Sequence, residues 1–208
     1  MARLCVLGAT GRTGQELVAE GLRRGHAITT FSRSPVATAG VRSVVGSLDD
    51  ASAIDDALVG CDVVCSALGS RTPTKASTVC LDGVRHVVPG MERAGLHRLL
   101  VISALPLTAH KGAIDRLVHP LLWWMFGGSY RDLAAMEAWL QTQPDWLSWT
   151  VYRPPGLLDG PATAQPRRAT DAALPGAWTL RRSELAAAIL DDCCPDPDLH
   201  RATIAIAR

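Results

Sequence analysis

Neither sign of charge is in excess in this sequence: 21 basic residues stand against 20 acidic ones, a net charge of +1. A chain so balanced lacks the electrostatic footprint of a partner for nucleic acid or another polyanion. Lysine is nearly absent, only Lys75 and Lys111 occurring, so the basic side chains are almost all Arg. Long hydrophobic runs are missing too. The longest, Leu121-Leu122-Trp123-Trp124-Met125-Phe126, is far short of a membrane span. Residues 4–9 are too short for a signal peptide and serve better as a strand. Cysteines lie at 5, 61, 65, 80, 193 and 194, without zinc-binding spacing, because Cys61 and Cys65 have no second pair of ligands at a fitting distance. No metal site is expected. Cys5 and Cys65 fall in core strands and are expected as buried thiols, while Cys193-Cys194 close a helix before Pro195. A reducing cytoplasm is the expected compartment. No repeat or linker divides the 208 residues, enough for one domain with a full core.

The informative part is a glycine run near the N-terminus, Val6-Leu7-Gly8-Ala9-Thr10-Gly11-Arg12-Thr13-Gly14. An apolar strand over 4–7 enters it, and a helix over 15–22 with Leu and Val on one face leaves it. Glycine lets the backbone turn sharply and approach a ligand without an intervening side chain. A helix starting there offers free N–H groups and a positive dipole end to a pyrophosphate. A glycine triplet alone is a weak signal, but placed between a first strand and a first helix it points to a dinucleotide. Gly8, Thr10, Gly11, Arg12, Thr13 and Gly14 are the expected cradle.

Beyond it, strand and helix patterns alternate. Strands are expected over 27–31, 41–45, 62–67, 98–103, 147–152 and 202–207, and helices over 49–58, 78–94, 131–141 and 183–191. This alternation implies a single-domain α/β fold of the Rossmann type, doubly wound around a mostly parallel sheet. Ligands bind such sheets along the carboxyl ends of the strands. Two stretches, about 104–129 and 154–178, are rich in Pro and Gly and are expected as loops over that edge, hence as the substrate side.

NAD-preferring folds of this kind carry an acid at the end of the second strand, where it holds the ribose hydroxyls. Here the place reads Phe31-Ser32-Arg33-Ser34-Pro35 and holds no acid. Arg33 suits the 2′-phosphate of NADP(H), with Ser32 and Ser34 adding hydroxyls and Arg12 approaching from the glycine loop. NADP(H) is therefore expected over NAD(H).

The glycine run, Ser32-Arg33-Ser34, Gly46-Ser47-Leu48-Asp49, Ser66-Ala67-Leu68-Gly69, Val101-Ile102-Ser103-Ala104 and Tyr152-Arg153-Pro154-Pro155-Gly156 follow one another in order. The set resembles the atypical short-chain dehydrogenase/reductases, the NAD(P)H-binding group that includes biliverdin reductase B (flavin reductase) and the NmrA-like proteins. The resemblance implies that Ser47 and Leu48 contact adenine, and that Ala67, Leu68 and Gly69 run beneath the nicotinamide ribose. It places Arg71 beside the cofactor phosphates, Ser103 facing the nicotinamide as the catalytic candidate, and Pro154, Pro155 and Gly156 on the other side of that ring. The flavin-reductase branch carries a histidine where this chain has Gly156.

Dehydrogenases of the larger family use a Tyr followed four residues later by Lys, whose charge makes the phenol a usable acid. Tyr130 is followed at that spacing by Ala134 and Tyr152 by Gly156. The expected reaction therefore needs little acid catalysis: hydride from NADPH to a small aromatic or conjugated acceptor such as a flavin, a quinone or a linear tetrapyrrole. Trp123, Trp124, Met125 and Phe126 offer either a flat wall for that acceptor or a packed helix or partner surface. The alternative function is a redox sensor of NmrA-like type that binds cofactor without turnover. Either a monomer or a dimer is compatible with the sequence. His110 and His119 fall in the first long stretch, and Glu137 is expected to serve helix packing or a salt bridge.

Overall fold

A computed structural model describes residues 1–70, 72, 74–107, 113–194 and 196–208. The described residues form ten strands and five α-helices. In the first half β1 (Arg3–Leu7), α1 (Arg12–Arg23), β2 (Ala27–Ser32), β3 (Val41–Val45), α2 (Ala51–Leu58), β4 (Val63–Ser66) and α3 (Val79–Ala94) follow in turn. Then come β5 (Arg98–Ile102), α4 (Ala113–Gln141), β6 (Ser148–Arg153), β7 (Gly156–Leu158), β8 (Arg167–Thr170), β9 (Thr179–Arg181), α5 (Arg182–Asp191) and β10 (Ala202–Ala207). Eight strands make one sheet in the order β3-β2-β1-β4-β5-β6-β10-β8. Its pairs are parallel except for β10 with β8. The strand order reverses between β1 and β4, which opens a crevice at their carboxyl ends. This is the expected doubly wound, single-domain Rossmann-type fold.

Strand pleating divides the core into two layers. Cys5, Leu7, Val64, Leu99, Val101 and Val151 face α2, α3 and α4, where Ile54, Val84, Met91, Met136 and Leu140 complete one cluster. The alternate residues Leu4, Val6, Val63, Cys65, Leu100 and Tyr152 face α1 and α5, where Leu17, Leu185 and Ile189 complete the other. Cys5 and Cys65 are buried thiols, as expected. No helix of the described residues is long and apolar enough to cross a membrane.

Three expectations need correction. The stretch 104–129 is not an open loop. After a short 3₁₀ turn at Leu105–Leu107, its described remainder belongs to α4, whose 29 residues run through Pro120 and Gly127-Gly128. Proline and glycine disfavour a helix interior locally, but tertiary packing overrides such propensities. At Gly128 the reason is visible: a Cβ there would stand 2.3 Å from the carbonyl oxygen of Lys75. The glycine allows α4 to lie against the segment that follows β4. The stretch 154–178 also contains structure, because β7 pairs in parallel with β9 and β8 forms the antiparallel edge of the main sheet. These strands are three or four residues long and lie among prolines and glycines, so no alternating pattern can develop. Helix α1 also begins earlier than expected, at Arg12, so the end of the glycine run is the first helical turn.

Candidate functional site

The end of β1 sets the geometry. Ala67 N–H donates to the Leu7 carbonyl at 3.0 Å, which draws the β4 terminus against the glycine turn. Gly8 adopts a left-handed φ of 74°, and a Cβ on it would lie 2.7 Å from the Ala67 carbonyl oxygen. Gly11 N–H closes the turn onto the Gly8 carbonyl at 2.9 Å. Gly14 allows the helix to sit on the strand end, since a Cβ there would meet the Gly8 oxygen at 2.2 Å. The three glycines thus serve three purposes: a turn, an open floor and a close helix–strand contact.

Helix termini distinguish the candidate anion site. The N-cap Asp50 of α2 accepts from Ala53 N–H. The first turn of α3 gives its Cys80 and Leu81 N–H groups to the buried Asp132 carboxylate from α4, each at 3.0 Å. Helix α1 has Gly11 at its N-cap, no side-chain cap and no acid in its first turn. Its N–H groups and positive dipole end are therefore available to an anion.

A cleft of about 350 Å³ extends from this helix start across the ends of β1, β2, β3 and β4. It brings together the sequence-selected Gly8, Thr10, Gly11, Arg33, Ser47, Leu48, Ala67, Leu68 and Gly69. Ser32, expected as a hydroxyl donor, lines it too, as do Phe31, Gly46, Asp49, Thr78, Val79 and Asp82, for which the sequence suggested no role. Thr78 and Asp82 carry a usable sequence signal, a hydroxyl and a carboxylate one helical turn apart at a helix start, bonded at 2.6 Å. Arg33 is exposed at the β2 end and, among the described residues, makes no hydrogen bond or ion pair. Ser32 Oγ donates to the Ser34 carbonyl at 2.6 Å, which shapes the turn carrying Arg33.

Arg12, Thr13, Gly14, Ser34, Ser103, Pro154, Pro155 and Gly156 are not among the lining residues of this cleft. Gly14 is buried behind it. Arg12 meets Asp159 just beyond β7 at 3.4 Å, an exposed pair. Arg71 and His110 lie outside the described residues, as does the side chain of His119.

Ser103 follows β5 and belongs to a second, buried group. The pleat places Ser103 and Arg153 on the face shared by Val101 and Val151, toward α4. There Ser103 Oγ donates to Glu137 Oε1. Arg153 grips the same carboxylate with two N–H groups, Nε to Oε1 at 3.2 Å and Nη2 to Oε2. Ser103 and Glu137 are only 6% and 5% exposed. The salt bridge expected of Glu137 is thus present, but its partners come from two strand ends.

Tyr152 faces the opposite layer. Its hydroxyl donates to Asp192 at 2.6 Å, and Arg168 holds both oxygens of that carboxylate at 2.9 and 3.0 Å. Burial, together with the Asp192 charge, pushes the Tyr152 phenol far above its ordinary range. Tyr130 lies on α4 with its ring edge-on to Trp123 at 5.5 Å, and burial raises its phenol pKa as well. Trp124 is 83% exposed on the outer side of that helix.

A parallel sheet reversing at β1/β4, a glycine turn and an uncapped helix define a dinucleotide-binding protein. The chain belongs to the NAD(P)H-binding family, whose model matches residues 8–193. It is 34% identical to an oxidoreductase, stcQ, of Emericella nidulans, a match covering 76% of this chain and 66% of that protein. The chain thus spans just under two thirds of that relative's length. Among solved structures it resembles a protein from Burkholderia pseudomallei, 26% identical over the whole of both chains with a TM-score of 0.83. It also shares its fold with an anaerobilin reductase, ChuY, from Escherichia coli, 24% identical over 99% of this chain and 96% of that one, TM-score 0.79. The expected NAD(P)H-binding family is thus that of this chain, and the curated relative it matches is an oxidoreductase.

Proposed function

We propose that the chain is an NADPH-dependent reductase that delivers hydride to a flat conjugated acceptor such as a flavin, a quinone or a linear tetrapyrrole. The observation carrying this reading is the cleft itself, with an uncapped helix start at one end and the unpaired Arg33 at the other. The α1 N-terminus, with Thr10 to Gly14 around it, would hold the pyrophosphate. Arg33, with Ser34 beside it, would take the 2′-phosphate and so favour NADPH over NADH. Ser47 and Leu48 would bound the adenine, while the carboxylates of Asp49 and Asp82 on that wall suit an amine rather than a phosphate. Ala67, Leu68 and Gly69 would run beneath the nicotinamide ribose.

The bound nicotinamide supplies the hydride. The protein's work is to hold two rings in register, which by itself removes much of the barrier to a bimolecular transfer. Ser103 and the Pro154-Pro155-Gly156 segment would bracket the nicotinamide. The anaerobilin reductase that shares this fold acts, by its name, on a bilin-type molecule, which supports a tetrapyrrole within the acceptor class.

A second reading, a redox sensor that binds cofactor without turnover, is favoured by one observation. The hydroxyls of Ser103 and Tyr152 are both committed to buried carboxylates. Oxidation of NADPH and NADH, followed at 340 nm against FMN, quinones, a dye and biliverdin, separates the two. Acceptor-dependent consumption, faster with NADPH, is the expected result. Tight binding with no consumption across the panel overturns the reductase in favour of the sensor.

A further inference from the structure

We infer that Glu137 and Arg153 are a positioning pair that fixes Ser103 as a hydrogen-bond acceptor, so that this end of the site receives an N–H group. The inference rests on the reading that the nicotinamide lies beside Ser103. A serine hydroxyl has one proton and two lone pairs, whereas a carboxylate only accepts. Because Ser103 gives its single proton to Glu137 Oε1, only lone pairs remain for another partner. Reversing that polarity means turning the hydroxyl away and taking from Glu137 Oε1 one of the two hydrogen bonds it accepts, in a place only 5% exposed.

Rotation of the carboxylate is blocked as well. The Arg153 guanidinium engages both Glu137 oxygens, and its rigid fork sets their plane. Ser103 is anchored by its main chain, its N–H donating to the Tyr152 carbonyl at 2.7 Å. Strand register determines the rest: Ile102 pairs with Tyr152, so Ser103 and Arg153 come next at the adjoining strand ends. Glu137 reaches both from α4, one residue after the buried Met136.

Two consequences follow for the chemistry. Ser103 does not protonate the reduced acceptor, because the alkoxide left behind would face a carboxylate. An N–H donor is selected at this position, either the carboxamide of the nicotinamide or an imide or lactam N–H of the acceptor. Quinones, which have no N–H, would gain nothing from Ser103.

The first arm of the test measures dissociation constants by calorimetry for NADP⁺ and its 3-acetylpyridine analogue, in which a methyl group replaces the carboxamide NH₂. The wild-type protein is expected to bind the analogue about tenfold more weakly, the cost of one buried acceptor left unpaired. Ser103→Ala should bring the two constants together. Glu137→Gln should narrow the gap, because an amide can offer its own N–H to Ser103 and release the hydroxyl proton. A purely structural role would weaken both ligands alike and leave their ratio unchanged. The second arm compares KM for FMN and for N3-methylated FMN. A penalty for methylation that disappears in Ser103→Ala assigns the N–H to the acceptor instead. The inference is overturned if neither modification costs affinity in the wild type, or if the discrimination survives in Ser103→Ala. Failure to bind NADP⁺ at all would instead overturn the cofactor reading and this inference with it. Ser103→Ala removes one atom and decides the question even if Glu137→Gln fails to fold.

Discussion

Replacing Arg33 with alanine isolates the preference for the phosphorylated cofactor. The side chain is exposed and pairs with nothing among the described residues, so its removal breaks no internal contact. Folding stability should change by no more than about 0.5 kcal/mol. A hydrogen bond to a charged group contributes about 1.5–3 kcal/mol, and the open position of Arg33 favours the lower end. The dissociation constant for NADPH should therefore rise about tenfold to thirtyfold near 0.1 M salt, while that for NADH changes by less than about twofold. Raising the salt should shrink the wild-type preference, since the contact is made in solvent. Arg12→Ala serves as the comparison: its partner in the fold is Asp159, in a pair whose side chains are 72% and 66% exposed. Such a pair contributes little, and the loss of NADPH affinity should be much smaller than for Arg33→Ala. Quenching of tryptophan fluorescence during titration with each cofactor provides the constants. Equal losses for NADPH and NADH in Arg33→Ala would refute the 2′-phosphate assignment.

Two glycines of the loop should separate stability from binding. Gly14→Ala drives a Cβ to 2.2 Å from the Gly8 oxygen, so helix and strand must part, and overpacking of this kind costs about 1–3 kcal/mol. Its thermal midpoint should fall by several degrees, whereas Gly11→Ala, whose Cβ meets only the Gly8 oxygen at 3.3 Å, should melt like the wild type yet bind cofactor more weakly. Equal midpoints for the two variants would contradict the packing argument. Glu184 provides a test by pH. Burial would raise its pKa, but Arg208 and the N–H groups of Thr163 and Arg181 outweigh that and lower it from 4.5 to about 2. A lowered carboxyl stabilises the fold fully above the unfolded value and loses that effect as pH falls from 4.5 toward 2. The full shift corresponds to about 3 kcal/mol, and about 2 kcal/mol is expected because solvent reaches Arg208. In urea unfolding Glu184→Gln should lie below the wild type by that amount at pH 7, and the difference should shrink below pH 4.5 and close near pH 2. A constant difference across that range would show that the carboxylate charge is not involved.

The parts of the molecule legible in the sequence are those whose cause is local. A strand, three glycines and a helix within residues 3–23 dictate a turn and a helix start whatever surrounds them. A continuous apolar run likewise announces a strand buried on both faces of the sheet, as Leu4 to Leu7 is. Arg33 was selected because a strand end is a fixed place in this fold, and the missing acid there can be read directly from the chain.

What only the tertiary structure decided depends on residues distant in the chain. The prolines and glycines of 104–129 suggest a loop, yet packing keeps most of that stretch helical, with Gly128 against Lys75. The short strands β7 and β9 exist because each supplies the other's hydrogen bonds. Glu137 is a plain helical carboxylate in the sequence. Its contact with Ser103, 34 residues away, and with Arg153, 16 residues away, arises only when α4 closes over the ends of β5 and β6. Arg12 was drawn toward Asp159, 147 residues distant, for the same reason. Local sequence determines the conformation of a strand or a turn. Which charged side chains share one buried place is set by the packing of whole elements, because burying a carboxylate without a partner is too costly to be left to local preference.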